Sequence, residues 1–564
     1  MKRWSADVWL AAAIILYYTV IGLAVLRPEA VYAGDIGVKY VQAQALVERH
    51  FRSLNIGYPG EFLDVERRFF PLRPPFVMTV NGAPQAIFPP ASTLIQAIGV
   101  AVAGFRGMIV VTLIGAAITI YAARRLTPER DRVVALLALG FASPLWFYAI
   151  SGWEHAPAVG LGVLGFAVAL GSPSRAAAFL AGAAVGSGAT VRDEVILLVP
   201  GVALAVWMHT RRWQAVAVTI GGVLVPLALA MALEVWWFGR PPAAHARHAV
   251  HALQTVLNVT TTPNPDVPVL QPITPRERYE YVVQYWIFGY GNDRWIWTFV
   301  AAGAVAFGLR ALTGSSIPLA IWLAAVLVPA WLDFQELMRA PKWLAGLQRV
   351  APYAVCALLP RPRGAIDDPE STENTELRRW FPFIAVVTTA VYLLAAYVGT
   401  DTHGGKSLGP RLLLPLLPLV IVAAVIRMSS YLRSGFRTER LVGLLGVALL
   451  SLSFAMHVFG TLPAYHRRNH DDAGALVALA ASRVRVVVAD DDATAQLLMP
   501  LYRRKVIFLA DTPVLMTDLG KAMVDQRIPE VVVVSRQLQP PALEGLYVDH
   551  AETRGRMLLQ YYRR

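Results

Sequence analysis

Long apolar runs separated by short polar turns make up most of this chain. Because a membrane-spanning helix needs about 17 to 25 apolar residues, the pattern predicts about thirteen transmembrane helices in residues 1–464. Their predicted starts are near Trp9, Met108, Val133, Pro157, Ala176, Val195, Gln214, Trp295, Ile317, Trp343, Trp380, Arg411 and Leu441. The first run is too long for a removable signal and lacks a small-residue cleavage site, so we interpret it as a permanent anchor.

One apolar run, residues 91–105, is too short for a full crossing. Counting it as a crossing would also place Arg124 and Arg125 on the opposite side from the other basic turns. We therefore expect a re-entrant or juxtamembrane helix that belongs with the first outer loop, residues 28–90. Such an element is stable inside a membrane only where protein covers its polar backbone.

The basic residues predict the orientation of the chain. The positive-inside rule places Lys2 and Arg3 in the cytoplasm. The arginine-rich turns that fall on the same side are at 124–132, 175, 211–212, 310, 361–363 and 433–440. The first loop and everything after about Tyr465 then lie outside the cytoplasm. High alanine and arginine usage is typical of a bacterial source, so we expect a bacterial inner membrane protein with a cytoplasmic N-terminus.

The tail, residues 465–564, has a different pattern. Short apolar runs at 484–489, 505–510 and 531–535 alternate with helical stretches, which predicts a small extracytoplasmic α/β domain with a mostly parallel sheet. Asp490, Asp491 and Asp492 follow the first predicted strand. A metal site is conceivable there, but we favour capping of the next helix, since aspartate is a preferred capping residue.

Composition agrees with a membrane protein. The chain has 564 residues, 56% of them hydrophobic and 16% charged, with a mean hydropathy of +0.49. That is too apolar for an ordinary soluble protein. The net charge of +13 resides largely in turns between apolar runs, so we interpret it as an orientation signal and predict no nucleic-acid partner. The single cysteine, Cys356, excludes an intrachain disulfide and a thiolate metal site.

The acid most favourably placed for chemistry is Asp35, which follows the first predicted crossing. A carboxylate beside an apolar wall is a better proton acceptor because it is partly desolvated. The alternative is a solvated acid or a cap of the helix that begins at Ile36. Further acids and cations follow on the same predicted face, among them Glu154, Arg192 and the stretch from Asp401 to Ser407.

Several short motifs occur in a fixed order along residues 1–460. They are Asp35, the run 81–90 ending in Pro89 and Pro90, Trp153-Glu154-His155, Arg192-Asp193-Glu194, residues 238–241, and residues 409–415. In this order they resemble the GT-C class of polyprenyl-phosphate-sugar-dependent glycosyltransferases. The resemblance is to bacterial relatives of protein O-mannosyltransferases and of the lipid A aminoarabinose transferase.

The resemblance implies a GT-C fold and inverting sugar transfer from a polyprenyl-phosphate donor, with Asp35 as the catalytic base. It also implies a second catalytic position at Glu154. His155 stands where the metal-dependent branch has a second acid, so no cofactor is certain and a divalent metal is only an option. The Glu154-His155 pair could orient the base or bind sugar hydroxyls, or it could be an interfacial pair at a helix end.

The resemblance and the chemistry of phosphate recognition give further candidates. Guanidinium groups bind phosphate oxygens at two points and an ammonium adds charge, so Arg411, Arg192, Lys406 and His403 are candidates for holding the lipid phosphate. The alternative for Arg411 is an interfacial anchor that extends to the headgroups. Tyr58 in the first loop is a further substrate-binding candidate.

Other histidine and aromatic residues have plainer explanations. His245, His248 and His251 share one side of a predicted helix, where zinc is conceivable. We favour a basic helix that meets anionic lipid or the acceptor. The aromatic residues near Asn292 to Arg294 are interpreted first as an interface belt.

Two other functions stay open at this stage. A transporter or flippase for a lipid-linked glycan would share the polar outer loops, but it would place more charges at mid-membrane. A non-catalytic scaffold would not require Asp35, Glu154 and Arg411 to approach one another. For the glycosyltransferase, the expected partners are the lipid-linked donor, an extracytoplasmic acceptor and membrane lipid.

Overall fold

The structure is a computed structural model and is mostly helical. It describes residues 5–32, 34–73, 76–80, 82–238, 274–289, 293–340, 344–363, 373–399, 408–537 and 542–564. His245, His248 and His251, for which a basic helix is predicted, lie outside these ranges. His403 and Lys406, which are predicted to hold phosphate, also lie outside them.

Eight helices in the described part are long and apolar enough to cross a membrane, so the chain is an integral membrane protein. They span Ala6–Val25, Pro90–Leu126, Asp193–Thr210, Trp213–Trp237, Asp293–Thr313, Ile317–Arg339, Trp380–Gly399 and Arg437–Ala481. Three shorter apolar helices lie among them, at His155–Ala169, Arg175–Val191 and Leu417–Leu432. Most of these helices begin within a few residues of a predicted start.

The helices are labelled α1 to α19 in chain order. The first nine are Ala6–Val20, Gly34–Glu48, Pro90–Leu126, Arg132–Phe141, Leu145–Ile150, His155–Ala169, Arg175–Val191, Val199–Thr210 and Trp213–Phe238. Helices α10 to α19 are Pro275–Tyr279, Asp293–Thr313, Ile317–Arg339, Leu347–Val350, Glu373–Gly399, Leu417–Leu432, Arg437–Ala455, Leu462–Ala481, Asp492–Leu497 and Pro513–Asp525. Short 3-10 or π-helical turns extend several of them, including Ile21–Val25, Glu280–Phe288 and Met456–Thr461.

Helix α3 is broken near its middle. Ala103 and Gly104 leave the helical conformation, and Gly104 has φ of +57°. A side-chain carbon placed on Gly107 would lie only 1.8 Å from the carbonyl oxygen of Gly99. These two glycines would be about 12 Å apart along a straight helix, so the chain folds back sharply here. Residues 90–102 therefore form an element distinct from the apolar helix that follows.

The crossing predicted to begin near Trp343 is not a regular helix. The structure has a single helical turn, α13, followed by a 3-10 helix at Pro352–Leu358. Three prolines explain the difference, since Pro352, Pro360 and Pro362 each lack the N–H that a continuous helix needs. The prediction of a helix here was wrong.

This irregular segment nevertheless runs from one end of α12 to the other. Near its start, Arg349 pairs with Asp333 in the last turns of α12. Near its end, the backbone N–H of Arg363 donates to Glu439, which also accepts from Ser316 at the start of α12. Residues 350–357 are buried. Protein therefore covers this non-helical backbone, which is the condition for its presence at membrane depth.

The C-terminal residues form a five-stranded mixed sheet. Strands β3 (Val486–Ala489), β4 (Val506–Leu509) and β5 (Glu530–Ser535) are parallel, with β3 in the middle. Strands β6 (Tyr547–Arg554) and β7 (Met557–Arg563) add an antiparallel hairpin beside β5. The predicted runs coincide with β3, β4 and β5, whereas the hairpin was not predicted because β6 is polar and mostly exposed.

No linker separates this C-terminal unit from the membrane helices. The helix that begins at Arg437 continues without interruption to Ala481, so the boundary predicted between residues 464 and 465 lies inside a helix. The first loop contains a smaller hairpin, β1 (Val77–Val80) with β2 (Ala83–Ala86). This loop contacts the C-terminal unit at several points.

Helix α2 is packed between the membrane helices and the C-terminal unit. Gly34 and Gly37 face α18 and the turn after it, and a side-chain carbon on Gly37 would lie 2.6 Å from the carbonyl oxygen of Gln496 and 2.9 Å from Met499 Cβ. Only glycine allows so close an approach. The opposite face of α2 carries Asp35 and Lys39.

Candidate functional site

Trp153 lies at the centre of the site. It follows Gly152, whose φ of +79° makes the turn between α5 and α6. The indole is 1% exposed and stacks on the ring of Tyr148, with centroids 5.6 Å apart. Helix α2 and the 3-10 turn Arg411–Leu413 approach this indole from other directions, and they bring Asp35 and Arg411 to it.

Asp35 is buried, and three donors contact the same oxygen of its carboxylate. The indole Nε1–H of Trp153 donates to Asp35 Oδ2 over 3.0 Å, and Arg411 Nη1 donates to it over 3.2 Å. Lys39 Nζ lies 3.5 Å from the same oxygen. Among the described residues, none donates to Oδ1. Within the described part of the chain, the carboxylate is therefore held through Oδ2.

Glu154 is likewise contacted by two cations at one of its carboxylate oxygens. Lys39 Nζ and Arg192 Nη1 each donate to Glu154 Oε1 over 2.7 Å, and Arg192 also contacts Glu194 over 2.5 Å. Burial by itself would raise the pKa of the Glu154 carboxyl, but the charges of Lys39 and Arg192 outweigh burial and lower that pKa to about 2. The buried Oε2 has no hydrogen-bond partner in the described part of the chain.

Lys39 was not identified from the sequence, although it joins the two acids. It is 1% exposed, and its ammonium also lies 4.1 Å from the centre of the Phe88 ring. A signal was present, because Lys39 follows Asp35 by four residues and so occupies the same side of a helix. The ammonium thus links α2 to the turn before α6.

The charges of this cluster cancel. Three carboxylates, those of Asp35, Glu154 and Glu194, face three cations, those of Lys39, Arg192 and Arg411. We refer to these six residues as the charge cluster. It reaches the surface at its arginines, since the side chains of Arg192 and Arg411 are 16% and 21% exposed.

His155 lies beside the charge cluster and is 1% exposed. Its ring packs against those of Tyr148 and Trp153, with centroids 5.0 Å and 5.2 Å away. Neither ring nitrogen has a hydrogen-bond partner among the described residues. A small cavity beside the ring is lined mainly by apolar side chains such as Leu414 and Val159.

The structure thus brings five of the predicted site residues together: Asp35, Glu154, His155, Arg192 and Arg411. Tyr58 is placed in different contacts, since its hydroxyl donates to Asp64 over 2.8 Å and its ring packs on Phe70 and Phe508. His403 and Lys406 lie outside the described residues.

In the charge cluster and in the tail, acids of the suggested metal sites already have other partners. In the charge cluster each acid already contacts an ammonium or a guanidinium, which would repel a second cation. In the tail, Asp491 caps α18 by accepting from the N–H of Thr494 over 2.8 Å. Within the described ranges, no group of three or more histidine, cysteine, aspartate or glutamate side chains is placed to hold a metal.

The chain is similar in structure to solved membrane enzymes. It is 16% identical to ArnT from Cupriavidus metallidurans in the apo state, over 98% of this chain and 97% of that chain, with a TM-score of 0.37. It is 10% identical to the apo oligosaccharyltransferase of Archaeoglobus fulgidus, over 93% and 69% of the two chains, with a TM-score of 0.43.

A third similar structure is AglB from Archaeoglobus fulgidus in complex with an inhibitory peptide and a dolichol-phosphate, at 11% identity, 94% and 70% coverage and a TM-score of 0.38. ArnT and AglB belong to the GT-C class that the sequence motifs resemble. No protein-family model and no curated protein matches the sequence. These structural likenesses are distant, so the function proposed below rests on the chain's own residues.

Proposed function

We propose that this protein is a membrane glycosyltransferase of the GT-C class. It transfers a sugar from a polyprenyl-phosphate donor to an extracytoplasmic lipid, glycan or protein acceptor, with inversion at the anomeric carbon. The observation that carries the proposal is the state of Asp35. Three donors hold its Oδ2 in place, while none of the described residues donates to Oδ1, the oxygen that accepts the proton in this proposal.

In the proposed reaction, Asp35 Oδ1 takes the proton of the acceptor hydroxyl or amine. The acceptor's lone pair forms a bond to the anomeric carbon, and the bond from that carbon to the phosphate oxygen breaks, so the electron pair leaves with the polyprenyl phosphate. The main contribution of the site is to position the base, since a fixed carboxylate and a bound acceptor react as if they were parts of one molecule. Trp153 and Lys39 supply that fixation.

Arg411 stabilises the phosphate that departs. Its Nη1 contacts Asp35, but its buried Nε has no partner among the described residues, and the side chain is partly exposed. A cation speeds the step only where negative charge develops. Arg192 is less suited to this role, because its described hydrogen bonds go to Glu154 and Glu194.

The proposal includes an orientation. About thirteen crossings, one of them the irregular segment after α13, would place the charge cluster and the C-terminal α/β unit outside the cytoplasm of a bacterial cell. Ion pairs support a bundle of membrane helices with a polar group of residues at each of its two ends. Arg124 and Arg132 meet Asp7 at the end where the basic turns gather, far along α1 and α3 from Asp35.

The decisive experiment replaces Asp35 by asparagine, which keeps the shape and removes the base. We expect purified Asp35→Asn protein to transfer sugar about a hundredfold to ten-thousandfold more slowly from a lipid-phosphate donor. Asp131→Asn is the matched control, because Asp131 is also buried and paired with an arginine, Arg433, away from the charge cluster. Its transfer rate per folded molecule should stay near that of the wild type.

Transfer by Asp35→Asn at the wild-type rate would contradict the proposal. So would wild-type protein that moves a lipid-linked glycan across vesicles without transferring its sugar, since that result supports a flippase. Transfer measured by mass spectrometry of the acceptor separates these outcomes.

A further inference from the structure

Four buried polar atoms around Trp153 have no hydrogen-bond partner among the described residues. They are Glu154 Oε2, both ring nitrogens of His155, and Arg411 Nε. More than nine in ten buried polar groups in proteins are hydrogen-bonded, because leaving one unpaired forfeits its hydration without compensation. Four such atoms at one place indicate a ligand that supplies their partners.

The chemistry of these atoms restricts the ligand. The charged carboxylate oxygen of Glu154 only accepts, and Arg411 Nε only donates. The neutral imidazole of His155 donates from one nitrogen and accepts at the other. The ligand must therefore offer at least two donors and two acceptors. A phosphate diester offers acceptors only, which suits Arg411 Nε, whereas hydroxyl groups, each both donor and acceptor, suit Glu154 Oε2 and the two ring nitrogens of His155.

The charge balance restricts it further. The charge cluster contains three acids and three cations, and it is largely buried. Glu154 and His155 are each 1% exposed, so a carboxylate or an ammonium group added beside them would be a buried charge without a counterion, which is costly. The ligand group at Glu154 and His155 is therefore uncharged. The lipid phosphate lies instead at Arg411, whose side chain is 21% exposed, so that solvent screens the added charge.

We propose that Glu154 and His155 form a subsite that binds the hydroxyl groups of a neutral sugar, while the lipid phosphate lies on the Arg411 side. This inference rests on the proposed glycosyltransferase function and assigns a division of labour within its site. His155 is then a specificity-determining residue. The site is entered past the partly exposed side chains of Arg192 and Arg411.

The test measures binding of two kinds of lipid to the purified full-length chain. One is undecaprenyl phosphate without a sugar, and the others are undecaprenyl-phosphate glucose, mannose, galactose and arabinose. At least one neutral sugar should tighten binding by the wild type relative to the bare lipid. His155→Phe should weaken binding of that sugar-bearing lipid about tenfold, which corresponds to the loss of about one or two hydrogen bonds. Its affinity for the bare lipid should change less than twofold.

Two further variants exclude trivial explanations. His155→Gln keeps a donor and an acceptor, so it should retain part of the gain even if His155→Phe folds poorly. Tyr353→Phe is the matched control, since the buried Tyr353 hydroxyl donates to the backbone oxygen of Ala138, outside the charge cluster. It should bind every lipid as the wild type does.

The outcomes are distinguishable. If the wild type binds no lipid, both this inference and the proposed function are wrong. If it binds and transfers sugar, but His155→Phe weakens the bare and the sugar-bearing lipid equally, or weakens neither, the inference alone is wrong. Tighter binding of undecaprenyl-phosphate glucosamine, with its amine protonated, than of every neutral sugar lipid would also overturn it.

Discussion

Asp35 and Glu154 are held in the same way, each through a single oxygen that faces cations. In both cases Lys39 is one of the donors, so this single ammonium fixes the distance between the two acids. An i, i+4 ion pair on an exposed helix contributes little to stability. Here the pair is buried, and loss of Lys39 would leave two carboxylates without a shared counterion, which is the costly case.

A buried acid in the C-terminal unit has a testable pH dependence. Burial raises the pKa of Asp490 to about 6. The native state then binds the proton more tightly than the unfolded chain, whose aspartates ionise near 3.9, so stability falls as pH rises from about 4 through 6. Asp490→Asn removes this loss. Its unfolding temperature should exceed that of the wild type by about 2 °C at pH 7.5 and by less at pH 5.

Thermal unfolding followed by intrinsic fluorescence at the two pH values is the measurement. Asp525→Asn, an exposed position in the same unit, is the control and should show an equal difference at both. An Asp490→Asn advantage that is larger at pH 5 than at pH 7.5 would show that the sign is wrong.

At the residue scale, the sequence predicted the acids and the arginines better than their partners. The order of motifs placed Asp35, Glu154 and Arg411 in one site although they are far apart in the chain. Lys39 and the indole of Trp153 were missed as donors to Asp35, because a lysine or a tryptophan near an apolar run usually has a plainer role. Which side chain faces which oxygen depends on tertiary packing that no local pattern encodes.

At the scale of elements, helix α2 depends on the C-terminal unit. Its glycine face contacts Gln496 and Met499, and its other face presents Asp35 and Lys39. The first loop adds further contacts, such as those of Arg68 with Asp518 over 2.8 Å and of Arg73 with Asp511 over 2.7 Å. The C-terminal unit therefore acts as a support for the helix that carries Asp35.

Gly37→Ala tests that support. The added carbon would meet the backbone oxygen of Gln496 at 2.6 Å, and backbone cannot move aside as a flexible side chain can. Helix α2 must shift and move Asp35, and under the proposed function a misplaced base lowers the rate steeply. We expect turnover to fall about tenfold while the chain remains folded.

Gly474→Ala is the matched control for this substitution. Gly474 is also helical, in α17, and a carbon added there meets nothing within 4 Å. Alanine should stabilise that helix by up to about 1 kcal/mol and leave turnover unchanged. Equal turnover of Gly37→Ala and Gly474→Ala would contradict the supporting role of the C-terminal unit.

The elements that sequence patterns missed are those without a regular period. The segment after α13 is apolar enough for a membrane helix, but its prolines and its enclosure by protein produce a 3-10 conformation instead. Strand β6 is exposed along most of its length, so it lacks the alternation that identifies a half-buried strand. Hydropathy therefore predicted a regular helix for the segment after α13 and no strand for β6.

At the scale of the whole molecule, buried ion pairs tie helices together away from the charge cluster. Arg310 of α11 and Glu439 of α16 are both buried and lie 2.7 Å apart. The same carboxylate accepts from the hydroxyl of Ser434 and from the backbone N–H of Arg363. One acid thus joins α11, α16 and the end of the irregular segment.

Glu439→Leu should destabilise the protein strongly, because Arg310 would remain buried without a counterion. The expected loss is about 3–5 kcal/mol. The double variant Arg310→Met/Glu439→Leu should recover most of that loss, since replacing both partners removes the unpaired charge. Unfolding temperatures in detergent check both statements. A double variant as unstable as Glu439→Leu would show that the contacts of Ser434 and Arg363, rather than the ion pair, dominate.

The last membrane span and the helix that leads into the C-terminal unit form one continuous helix, Arg437–Ala481, with a π-helical turn inside it. Its final 20 residues extend about 30 Å past the π-helical turn, so a tilt of about 10° in the bilayer displaces their far end by about 5 Å. Membrane helices tilt to match the thickness of the lipid around them. A change in lipid thickness that tilted this helix would therefore displace the sheet it contacts, and with the sheet the unit that packs on the helix bearing Asp35.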